Sequence, residues 1–108
     1  MPDPAPILRR LREILSVPGD RVGKARRISA AIHEGGFPWV GIYDGAVRLA
    51  WSPPSPAPQP GSVITVPIQK ANGDPVGILE AACDGPPRDE DRRCLERCAE
   101  VIRPLWGA

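Results

Sequence analysis

The sequence predicts an α+β fold, in which about four antiparallel strands form a sheet with helices before and after it. Three observations carry this. Two hydrophobic hairpin patterns, at 37–51 and 62–83, break at the turn dipeptides Asp44-Gly45 and Asn72-Gly73. Helical periodicity precedes the first hairpin and follows the second. Between the hairpins runs a bridge, 52–61, with five of the fifteen prolines between positions 53 and 60. At 108 residues the chain fits one domain, which buries roughly 60–68% of its unfolded surface.

The elements follow in order. Residues 1–6 hold three prolines and read as a flexible or extended leader, leaving 7–108 as a single domain. Ile7, Leu8, Leu11, Ile14 and Leu15 make the apolar stripe of a first helix, which Pro18-Gly19 ends. Asp20 is an N-cap for a second helix, where Val22, Ala25, Ile28 and Ile32 repeat at three or four before Gly35-Gly36.

Asp44-Gly45 permits a type I′ turn between two right-twisted strands. Val40 and Ile42 alternate with Trp39 and Tyr43, so both faces of the first strand are apolar and both are expected to be covered. Strict alternation in the second strand sets Val47, Leu49 and Trp51 against Ala46, Arg48 and Ala50. The bridge reads as an extended polyproline segment able to cross a sheet end but not to be a central strand. Pro67 cannot donate to a ladder and marks an edge or a bulge. A final helix over 89–105 starts with Asp89-Glu90-Asp91 and aligns Leu95, Cys98, Ile102 and Leu105.

Bulk properties exclude several function classes. A formal charge of +1 gives no basis for nucleic acid or an anionic membrane as a partner. Residues 1–36 carry seven Lys/Arg against four Asp/Glu, a mildly basic surface. No apolar run approaches the ~20 residues of a membrane span, and the N-terminus lacks a signal-peptide layout. A cytoplasmic protein with three reduced thiols is expected.

The order helix, helix, hairpin, crossover, hairpin, helix resembles the GAF domain. The likeness is carried by Trp39-Val-Gly-Ile-Tyr43, the run 63–68 (VITVPI), the run 73–80 (GDPVGILE) and the run 89–96 (DEDRRCLE). The first of these looks particularly like the branch that contains free methionine-(R)-sulfoxide reductases. The resemblance implies an antiparallel sheet with N- and C-terminal helices packed on one face and a small-molecule pocket on the other. In GAF domains a long segment usually separates the second strand from the VPI strand and builds that pocket's wall. Here about ten residues fill the space, so the pocket-forming segment is read as missing. No cysteine matches the catalytic positions of the reductase branch, and no cofactor is expected.

Four residues stand out as candidate site residues. A redox enzyme needs an accessible thiolate, for which Cys83, at a strand end, is the candidate. Cys94 and Cys98 lie one helical turn apart beside apolar residues and read as packing. No metal site is expected, because these cysteines and His33 have no zinc spacing, and His33 reads as a cation at a helix C-terminus. Trp39, Tyr43 and Trp51 read as core filling or as an aromatic patch that binds a ligand or a partner.

The expected function is a non-enzymatic regulatory or protein-interaction module, homodimeric, with a protein partner or a small molecule as its counterpart. Two dimer contacts suggest themselves: the stripe of Leu8, Leu11, Leu15, Leu95, Ile102 and Leu105, and the sheet face with Trp39 and Tyr43. A second reading is a thiol-dependent methionine sulfoxide reductase using Cys83. A third is a small-ligand sensor with a shallow pocket under the proline bridge.

Overall fold

The computed structural model describes residues 3–54 and 62–107. Most of the bridge, and with it the expected lid and the shortened crossover, lies outside the described residues.

Helix α1, Pro4–Ser16, starts inside the stretch expected as a leader. The Asp3 side chain accepts a hydrogen bond from the Ala5 amide at 3.2 Å. Pro4 occupies the first turn, where its missing N–H has no intrahelical partner to lose and its fixed φ suits the helix. Helix α2, Arg21–Glu34, is capped by Asp20, which accepts from the Gly23 amide at 2.6 Å. At its other end His33 Nδ1–H donates to the Phe37 carbonyl at 2.6 Å and fastens the helix to the strand that follows.

Strands β1 (Trp39–Asp44), β2 (Val47–Ser52), β3 (Val63–Gln69) and β4 (Pro75–Ala82) form one antiparallel sheet in the order β2-β1-β4-β3. Pro67 therefore sits on an edge strand, as its chemistry requires. Two local expectations fail. Gly45 has φ 59° and, among the described residues, no non-glycine residue has positive φ, which fits a type II′ turn and rules out type I′. In β2 the register jumps from Ile42↔Ala50 to Tyr43↔Arg48. Leu49 is thus an extra, bulged residue, and it rotates Arg48 onto the face that carries Trp51.

Helix α3 runs over Asp89–Val101 and a 3₁₀ helix follows over Arg103–Trp106, rather than one helix to Leu105. Pro104 explains the break, since it offers no N–H and its ring collides with the carbonyl four residues back. Asp91 accepts from the Arg88 amide at 3.1 Å and closes the N-terminus of α3.

Helices α2 and α3 pack on one face of the sheet, and α1 lies against both. The core between them holds Leu11, Ile28, Ile32, Val40, Ile42, Ile64, Val66, Ile68, Leu79, Leu95 and Ile102, all essentially without solvent contact. Ser29, buried among them, donates to the Arg26 carbonyl at 2.9 Å and meets the Ser52 hydroxyl at 3.0 Å. Leu8, Leu11, Leu95 and Ile102, expected as a dimer stripe, are thus spent on the chain's own core. Among the described residues, no helix is long and apolar enough to cross a membrane.

Candidate functional site

The sheet face turned away from the helices is built in three cross-strand rows. Register places Arg48, Tyr43, Ile78 and Pro67 in the first, and Trp51, Gly41, Glu80 and Thr65 in the second. Trp39, Ala82 and Val63 make the third. Trp39, Tyr43 and Trp51 therefore share one face, as alternation implies.

Their environments differ. Trp39 is only 3% exposed, and its ring lies over Gly41 so closely that a Cβ there would come within 2.6 Å of Cη2. Glycine at position 41 is the space that lets the ring lie flat. Tyr43 and Trp51 remain half-buried. Trp39 is thus buried on this face, and the half-buried rings are Tyr43 and Trp51.

Polar groups converge on those two rings. Arg48 stands over Trp51, its guanidinium carbon 3.1 Å from the ring centroid, a cation–π contact. The Thr65 hydroxyl donates to Glu80 Oε1 at 3.4 Å. Burial pushes the Tyr43 hydroxyl above its ordinary pKa and the Glu80 charge adds to this, while Arg48 opposes it. Arg48 and Glu80 thus flank the phenol with opposite charges. Neither was singled out in the sequence: the bulge hides Arg48, and Glu80 reads as part of a motif. Only the cross-strand register brings them together.

Two of the three thiols, Cys83 and Cys98, are held protonated, while the hydrogen bond with Cys98 lowers the buried Cys94. Desolvation, with the Asp91 charge and hydrogen bond and the Asp84 charge behind it, pushes Cys83 up to about 11. Roughly 10⁻⁴ of such a thiol is thiolate at pH 7. Cys94 and Cys98 are buried free thiols with no disulfide between them. The hydrogen bond with Cys94 and burial drive Cys98 far above the ordinary thiol range. Alkylation of Cys83 by iodoacetamide is expected to reach half its maximal rate near pH 11, and a midpoint at or below pH 8 would contradict this account. A thiol raised only in the folded state stabilises fully below its unfolded value, near 9, and that contribution is lost as pH rises toward 11. Alkaline titration is therefore expected to weaken the fold over this window. Among the described residues, no three His, Cys, Asp or Glu side chains gather as metal ligands.

Solved structures share this fold. The chain superposes on fRMsr of Staphylococcus aureus in complex with substrate with a TM-score of 0.76, at 15% identity, over 97% of this chain and 96% of that one. A GAF sensor protein from Burkholderia vietnamiensis gives 0.74 at 18%, covering 91% and 84%. The chain has the GAF fold.

A third GAF-fold match is the free methionine-R-sulfoxide reductase from Neisseria meningitidis in complex with its substrate, at TM-score 0.74 and 18% identity, covering 94% and 86%. Neither a family model nor a curated protein matches the sequence. The TM-scores establish the GAF architecture, and identities this low leave function to the chemistry of the face.

Proposed function

We propose that the chain is a non-enzymatic regulatory GAF-like module that works through protein contacts made by its helix-free sheet face, with a second copy of itself as the first partner. One observation carries this reading. Leu8, Leu11, Leu95 and Ile102 of the helical stripe are buried in the chain's own core, which leaves only Leu15 and Leu105 half-buried there, whereas Tyr43, Trp51 and Ile78 stay half-buried side by side on the opposite face. Half-buried aromatic and aliphatic side chains edged by charge are the makings of an interface core with a polar rim. The protonated Cys83 argues against thiol catalysis.

Placing carboxylates at the centre of that face tests the reading. Tyr43→Asp combined with Ile78→Asp is expected to sediment as a monomer under conditions where the unaltered chain is a dimer. Helix content should remain unchanged. Sedimentation identical to that of the unaltered chain would exclude the sheet face as the contact.

A further inference from the structure

Strand β2 is an edge strand, and among the described residues no strand pairs with its outer side. The two edges of the sheet are not alike. On β3 the chain places Pro67, which cannot donate to an added strand, while Val47–Ser52 contains no proline and is interrupted only by the bulge at Leu49. Val47, at the start of β2, is 65% exposed. An arginine stands on each side of this edge. Arg48 rises on the helix-free face above Trp51, and Arg26 projects from α2 on the other. With Leu49, Ala50, Trp51 and Pro54 they line an open groove of about 430 Å³.

Arg26 and Arg48 are the charges that line this groove. Arg21 and Lys24, on the same helix, line a separate pocket beside Leu15 and Leu105. Among the described residues the ion pairs are Arg10–Glu13 and Arg21–Asp44, so neither groove arginine holds a carboxylate.

We infer that this groove docks an acidic, extended segment of a partner protein, which joins the sheet as a fifth strand beside β2. The inference deepens the interaction-module reading and rests on it. Free main-chain groups on the edge supply the ladder, and side chains of the added strand alternate between the two faces. Carboxylates on one face would meet Arg48, which Trp51 holds in place, and those on the other would meet Arg26. Guanidinium forks bind carboxylates bidentately, which gives direction as well as attraction. A second copy of β2 would bring a second Arg48 to the same edge, and like charges placed together there oppose self-pairing. An acidic foreign segment suits the edge better.

The test uses the full chain and labelled peptides of roughly nine residues, long enough to span the strand. One peptide alternates valine with glutamate and another valine with lysine. A third is the glutamate peptide with alternate backbone nitrogens methylated, which prevents the ladder. Fluorescence anisotropy is expected to show the glutamate peptide binding at least about tenfold more tightly than the other two, and weakening with salt. Arg26→Glu, a change at an exposed position on α2, is expected to weaken it by about tenfold, and Arg48→Glu likewise. Equal binding of the glutamate and lysine peptides, undiminished binding of the methylated peptide, or no binding of any of them would overturn the inference. If Arg26→Glu instead altered the sedimentation of the chain without peptide, the occupant would be a second copy and the inference would also fall. Peptide binding by a chain that is monomeric throughout would sink the dimer reading and leave the groove intact.

Discussion

Gly77→Ala is expected to lower stability by about 3 kcal/mol, among the largest effects of any single methyl group in this chain. Gly77 lies on the helix side of β4, opposite Ile68. A Cβ built there falls 2.6 Å from the Tyr43 carbonyl oxygen and 2.6 Å from Cζ2 of Trp106. The first obstacle is backbone in the adjacent strand and cannot swing away. The second is the ring that seats the terminal 3₁₀ helix. Trp106 also donates from Nε1 to Asp44 at 3.4 Å, and Arg21 pairs with the same carboxylate at 2.6 Å while lying 5.1 Å from the indole centroid. One methyl group therefore disturbs the sheet, the 3₁₀ helix and the start of α2 together. The melting temperature should fall by roughly 10–20 °C. Trp106→Ala in the same chain should recover only part of the loss, because the Tyr43 carbonyl remains in the way. A fall of a degree or two would show that strand and ring can move apart cheaply.

Leu11→Ala is expected to destabilise by about 2–5 kcal/mol. Leu11 has no solvent exposure and sits on α1, which packs against both α2 and α3. The dependence of this loss on protein concentration distinguishes two roles for the apolar stripe. If α1 is part of the chain's own core, chemical denaturation should show the loss at every protein concentration. If α1 were instead a dimer contact, the loss would shrink as concentration rises. Concentration independence is expected.

Much of this fold was legible in the sequence because period and punctuation agree. The stripe Ile7, Leu8, Leu11, Ile14 fixes the inward face of α1, and Asp20 and Gly35 bracket α2 closely. Alternation through 39–43 placed Trp39 and Tyr43 on one face. What escaped reading has specific physical causes. A bulge adds one residue without changing composition, so strict alternation put Arg48 on the wrong side of β2. Prolines at 4 and 6 look like a leader until Asp3 is seen capping the turn they open. Pro104 was available in the sequence as a helix breaker, yet the apolar spacing through Leu105 outweighed it. The candidate site was less legible than the fold. Its rings were visible, but the charges beside them become neighbours only through the pairing of β1 with β2 and β4. Cys83 looked exposed at a strand end, whereas burial, and after it Asp91 eight positions on, keeps its proton in place.

The proposed function requires the sheet face turned away from α2 and α3 to join two copies of this chain. Light scattering across a dilution series of the unaltered protein tests it most directly. Twice the chain mass, falling toward a single mass only at high dilution, is the predicted result. A single chain mass at every concentration would contradict it.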